Sequence, residues 1–139
     1  MTWKTMKSDT LLDDSHVSVR KNQVQLPDGA VIDDFYTVTI PDAAMVAAIT
    51  TNGEILLKKE YRYACGMDVV ECPAGMFDPN EKDPLAVAKR ELLEETGYSS
   101  DSWEYLGGHM GIYFEINQYD AFISCKGLCE GIDAAFGSE

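Results

Sequence analysis

One segment, Pro84–Thr96, constrains this chain more than any other. Its apolar residues Leu85, Val87, Ala88, Leu92 and Leu93 recur at helical spacing, and both of its ends are punctuated. Asp83 suits an N-cap. Pro84 suits the first helical position, where its fixed φ is already right and no N–H is wasted. Gly97 suits the left-handed residue that closes a helix. On the predicted helix, Glu91, Glu94 and Glu95 stand at i, i+3 and i+4 and therefore share one face. Such like charges destabilise a helix by roughly a few tenths of a kcal/mol per pair unless something neutralises them. A hard divalent cation with a preference for oxygen is a natural neutraliser, and magnesium is typical where the substrate carries phosphates. A plain solvated acidic face is the alternative.

The rest of the chain reads mainly as strands, so the expected class is α+β. Residues 16–26 alternate in part, and Pro27-Asp28-Gly29 is a turn signal before Val31-Ile32. Residues 35–40 are aromatic and β-branched. Residues 43–50 form a nearly continuous apolar run, as expected for a strand buried on both faces. Asn52-Gly53 predicts a hairpin leading into residues 54–58. Residues 61–63, 69–72, 103–106 and 121–125 are further strand candidates, with 107–117 a connecting loop. The chain divides into an N-terminal β region, residues 1–40, and a second region, residues 41–139, that holds the helix.

Charge narrows the partners. With 24 acidic against 11 basic side chains and a net charge of −13, attraction to nucleic acid is not expected. A small phosphorylated substrate remains open, because divalent cations can sit between it and a carboxylate-rich site. Apolar runs fall far short of a membrane span, and the first ten residues lack the apolar stretch of a secretory signal. A cytoplasmic location is therefore expected. Cys65, Cys72, Cys125 and Cys129 form no C-x-x-C pair, so buried thiols acting as small hydrophobes are a better reading than zinc ligation with His16 or His109.

Residues 75–98 read GMFDPNEKDPLAVAKRELLEETGY. This segment resembles the signature of the Nudix hydrolase superfamily, G-x5-E-x7-R-E-U-x-E-E-x-G-U with U aliphatic or aromatic. Gly75 and Glu81 satisfy the first part, and the run from Arg90 to Tyr98 matches the whole second half. Between Glu81 and Arg90 lie eight residues where the pattern has seven, and the extra one falls in the loop around Lys82-Asp83. The resemblance implies an α/β/α sandwich with a mixed sheet and hydrolysis of a nucleoside diphosphate linked to another group. It also implies that Glu91, Glu94 and Glu95 bind magnesium, or manganese in its place, while Arg90 holds the carboxylates in position.

Two flanking segments, Glu60-Tyr61-Arg62-Tyr63 and Val70-Glu71-Cys72-Pro73-Ala74-Gly75, are similar to those of the ADP-ribose pyrophosphatase group. That similarity implies a phosphate contact for Arg62 and a metal contact for the Ala74 carbonyl. Pairing with surface acids is the other reading of Arg62. Glu71 is either a substrate-positioning or a structural carboxylate. The family's mobile-loop base corresponds to Glu115, in Gly111-Ile112-Tyr113-Phe114-Glu115, with Glu94 or another helix glutamate as the alternative and His109 a weaker one. Trp3, Phe35 and Tyr36 are candidates for stacking on adenine, and core or dimer packing explains each more simply. The implied reaction converts ADP-ribose or an ADP-sugar to AMP and a sugar phosphate, with a homodimer as the expected assembly. The alternatives are another nucleotide sugar, a dinucleoside polyphosphate or a nucleoside triphosphate as substrate, or a non-catalytic nucleotide sensor.

Overall fold

The structure, a computed structural model, describes residues 2–110, 116–117, 119–127 and 129–130. The chain forms two compact units, Met1–Pro41 with Met110–Tyr119, and Asp42–His109 with Asp120–Glu139.

The first unit is a sheet of β1 (Lys4–Asp13), β2 (Ser18–Gln25), β3 (Val31–Thr39) and the short β10 (Ile116–Asn117), in that order. The first three run antiparallel, and β10 pairs parallel with β3 through Ile116↔Val38. Local chemistry closes both turns. The Asp14 carboxylate accepts from the backbone N–H groups of His16 and Val17 at 2.7 and 3.0 Å, ending β1. At the second turn Gly29 takes φ 90°, and its N–H reaches the Leu26 carbonyl at 3.0 Å. Sequence pattern did not predict β1. It is exposed along its whole length, so it lacks the alternation that burial of one face imposes.

The second unit is built on a four-stranded sheet, in the order β7-β4-β11-β9: β7 (Ala74–Met76), β4 (Ala43–Ile49), β11 (Tyr119–Lys126) and β9 (Ser102–Met110). Its strand directions are mixed, since β4 runs antiparallel to β7 and parallel to β11. The helix α1 (Pro84–Thr96) packs on β4 and β7. Ala44, Val46 and Ala48 pair with Ala121, Ile123 and Cys125, and these six side chains form the core with Val87, Ala88 and Leu92. Two hairpin partners, β5 (Lys58–Arg62) and β6 (Met67–Glu71), and the short pair β8 (Tyr98–Ser99) and β12 (Cys129–Glu130) complete the unit.

The α+β class, the mixed sheet and the antiparallel N-terminal β region are those expected. Among the described residues α1 is the only helix. Four local expectations need correction. Strand β4 is fully buried on one face only; Met45, on the other, is 38% exposed. The Asn52-Gly53 turn forms, with Gly53 at φ 82°, but beyond it pairing is limited to one bridge, Ile49↔Ile55, flanked by bonds from Thr50 N–H to Glu54 O and from Leu56 N–H to Ala48 O. The adjoining length of that edge is already taken, because β7 pairs with Ala43–Met45 and the Pro73 carbonyl accepts from Val46 N–H. Strand β9 extends through Met110, into the expected loop. Cys65 is exposed; Cys125 is buried, and burial pushes its thiol up.

Candidate active site

Helix α1 is fixed at both ends as its sequence requires. The Asp83 carboxylate accepts from Leu85 N–H at 3.0 Å, and Gly97, at φ 72°, donates its N–H to the Leu93 carbonyl at 2.9 Å. These caps set the register of the four charged residues on its C-terminal half.

Arg90 organises one cluster. Its Nε and Nη2 grip the two oxygens of Glu81 at 3.2 and 3.0 Å, a bidentate pair. Nη1 donates to Glu91 Oε1 at 2.6 Å and to Glu94 Oε2 at 3.1 Å, and Nη2 also reaches the Met76 carbonyl at 3.1 Å. Glu81 is itself oriented by Asp78 N–H at 2.8 Å. The additional residue between Glu81 and Arg90 is thus absorbed in the loop ahead of Asp83, and the glutamate–arginine contact is kept. The Arg90 guanidinium holds the Glu81 carboxyl below the usual carboxylate range, helped by the Asp78 N–H.

Glu91 lies beneath this cluster. It is 9% exposed, and its carboxylate packs onto Gly75 so closely that a Cβ there would lie 1.9 Å from its Cδ. Burial pushes the Glu91 carboxyl up; Arg90 opposes the shift, while Glu95 and Glu94 add to it. Glu94 is the most exposed of the three helix carboxylates.

A second cluster gathers on the β5–β6 hairpin. Lys58, Glu60 and Arg62 alternate along β5 and so share a face. Arg62 forms a bidentate pair with Glu71, Nε to Oε2 being 3.3 Å, and its Nη2 lies 3.4 Å from Glu60. Lys58 Nζ sits among Glu60 at 2.5 Å, Glu71 at 3.4 Å and Glu95. Burial pulls the Lys58 ammonium down, but its bonds to Glu60 and Glu95 outweigh that and hold it above its usual range. Glu95 also accepts from Ala74 N–H at 3.0 Å.

The residues singled out from sequence therefore fall into two linked groups: Arg90 with Glu91 and Glu94, and Glu95 with Ala74, Glu71 and Arg62. Lys58, which joins the second group, was not singled out, although its place two and four residues before Glu60 and Arg62 on one strand is the signal that could have found it. Trp3 and Phe35 stack edge to face at 5.4 Å, and Lys21 Nζ lies 5.9 Å over the Tyr36 ring. Glu115 and the His109 side chain lie outside the described residues.

The helix donors are carboxylate oxygens, which suit a hard divalent cation and not a soft one. Among the described residues no three acidic, cysteine or histidine side chains converge as a finished cage. The carboxylates are drawn onto Arg90 and Lys58 instead. No described helix is long and apolar enough to cross a membrane.

Comparison with known proteins agrees with this geometry. Residues 3–38 match the nucleoside diphosphate sugar hydrolase N-terminal domain. A methanol dehydrogenase activator of Bacillus methanolicus is 36% identical over 103 residues, 74% of this chain and 55% of that protein. An ADP-ribose pyrophosphatase of Mycobacterium tuberculosis is 32% identical over 104 residues, 75% of this chain and 50% of that protein. The chain spans about half the length of these curated relatives. The crystal structure of an ADP compounds hydrolase superposes with a TM-score of 0.81 at 17% identity, covering 100% of this chain and 75% of that one, which shows a shared fold. The NUDIX domain matches residues 39–126, a span that holds α1, Gly75 and the β5–β6 hairpin, and the chain belongs to the Nudix family.

Proposed function

We propose that this chain hydrolyses a nucleoside diphosphate linked to another group, with ADP-ribose or an ADP-sugar as substrate and AMP and a sugar phosphate as products. The observation that carries the reading is Arg90, whose guanidinium spans Glu81, Glu91 and Glu94 and so gathers like charges that would destabilise a bare helix. The N-terminal match to a nucleoside diphosphate sugar hydrolase domain and the similarity to ADP-ribose pyrophosphatases support the choice of substrate class.

In this reading Glu91, Glu94, Glu95 and the Ala74 carbonyl hold magnesium, with manganese as a substitute. Such an ion, when bound, neutralises charge developing on the diphosphate and acidifies a bound water. Arg90 does not touch substrate. Arg62, 43% exposed, exchanges its Glu71 partner for a substrate phosphate, a contact that suits its planar fork. Until then Glu71 positions the guanidinium, and afterwards it stays with Lys58. Glu115 accepts the proton of the attacking water, with Glu94 the alternative base. The hydroxyl joins one phosphorus, the bridging oxygen leaves with the other, and the two phosphate products separate. Residues 1–40 serve dimerisation or substrate binding, residues 41–139 carry the chemistry, and the active form is a cytoplasmic homodimer.

The test is product analysis with magnesium over a panel of ADP-ribose, ADP-glucose, GDP-mannose, a diadenosine polyphosphate and an oxidised nucleoside triphosphate. AMP release from ADP-ribose that Glu95→Gln abolishes, with the fold intact, is the expected result. Turnover of a different compound would keep the chemistry and replace the substrate. Nucleotide binding without turnover of any compound would overturn the assignment in favour of a sensor.

A further inference from the structure

The Lys58 ammonium is the least exposed cationic head in either cluster, its side chain being 13% exposed against 28% for Arg90 and 43% for Arg62. It reaches Glu95 on α1, while Glu60 and Glu71 hold it from its own hairpin. The neighbouring Lys59 points the other way, 67% exposed, and pairs with Asp68 at 2.6 Å. Taking an ammonium this far from water is unfavourable unless carboxylates surround it, so the position selects for the charge.

Glu95 is also the carboxylate that the functional reading gives to a divalent cation. One of its oxygens is bonded to Lys58 and the other to Ala74 N–H. A cation arriving at Glu95 therefore meets a resident positive charge already bonded there. We propose that Lys58 is an internal counter-cation of this site: it holds Glu95 in place while no metal is bound, and shifts onto Glu60 and Glu71 as metal takes Glu95. The two hairpin carboxylates make the transfer feasible, because the ammonium keeps partners after it yields Glu95. Lys58 is thus a positioning residue that acts through Glu95. This rests on the reading of Glu95 as a metal ligand.

Removing the competing charge without changing side-chain bulk, in Lys58→Met, tests the idea by calorimetric titration of the whole chain with magnesium or manganese alone. Metal affinity should rise about tenfold, within the usual span of coupling between two linked sites. Lys59→Met loses the same charge from the opposite face and should change affinity less than about twofold, since exposed charges are screened. Lys58→Arg, which keeps a cation, should stay near the parent value. Affinity in Lys58→Met equal to or weaker than the parent overturns the proposal. Amine labelling of the parent, read by mass spectrometry, gives a second measure that needs no variant. Metal should raise the labelling of Lys58 relative to Lys59, and an unchanged ratio overturns the transfer. If the parent itself binds neither metal, the functional reading fails first and the proposal falls with it; if the parent binds and Lys58→Met is no tighter, the proposal alone fails.

Discussion

The carboxylate of Glu91 occupies the space in which any side chain on Gly75 would begin. A Cβ at Gly75 would come within 1.9 Å of Glu91 Cδ and 2.0 Å of Oε1. The first glycine of the motif is therefore needed for close approach, since its φ lies outside the left-handed region.

Gly75→Ala should consequently act on the site more than on the fold. The clash falls on the end of a side chain, which can swing aside, so overpacking should cost no more than roughly 1–3 kcal/mol. A Glu91 carboxylate displaced by an ångström or more should lower turnover on the order of a hundredfold. Denaturant unfolding and steady-state kinetics separate the two effects; turnover that survives the substitution would mean that Glu91 takes no part.

Arg90→Lys removes the fork while keeping the charge. A single ammonium cannot reach Glu81, Glu91, Glu94 and the Met76 carbonyl together. The stability lost should be about 1–2 kcal/mol, below the full value of several charged hydrogen bonds because solvent screens this partly exposed group. The larger effect should be on metal affinity, since Glu91 and Glu94 lose their common anchor. A variant with parental affinity in calorimetry would show that Arg90 does not position them.

The capping of α1 gives a test of stability alone. Asp83→Ala leaves the Leu85 N–H without its side-chain acceptor and should cost about 1 kcal/mol. Turnover per folded molecule, measured well below the melting temperature, should not change. A loss of turnover without a loss of stability would place Asp83 in the chemistry.

The helix was legible in sequence to the residue because its signals are local: Asp83 and Pro84 open it, Gly97 closes it, and the apolar stripe lies between. The strands around the site were legible only in part. The Asn52-Gly53 turn is local and formed, but how far its arms pair depends on β7 having taken the adjoining edge of β4, which no local signal records. β1 was missed because Met6, Leu11 and Leu12 lie exposed among polar residues and show no alternation. A different limit hid Lys58. In sequence it is one of two adjacent lysines; strand alternation sets it on the face of Glu60 and Arg62, but that this face meets Glu95 on α1, while Lys59 pairs with Asp68, is a tertiary fact that no local signal records.

Glu91 gives a pH dependence of defined sign. Burial, with Glu95 and Glu94 beside it, raises its carboxyl above the ordinary carboxylate range, and Arg90 offsets only part of this. Between the ordinary and the raised value the folded protein binds more protons at Glu91 than the unfolded chain does. Its contribution to stability therefore falls as pH rises through that window and stays unfavourable above it. Glu81 works the other way: its lowered carboxyl stabilises the fold above the ordinary range, and this is lost as pH falls through its folded value. At neutral pH, Glu91→Gln should therefore raise the melting temperature of the metal-free protein, and with metal supplied it should abolish turnover. The gain should shrink as the buffer is made more acidic and vanish once Glu91 is protonated in both states. Melting curves from pH 7 down to about pH 3, roughly a unit below the ordinary glutamate value, check this. A Glu91→Gln variant less stable than its parent at neutral pH would mean that the bond to Arg90 outweighs the burial of the charge.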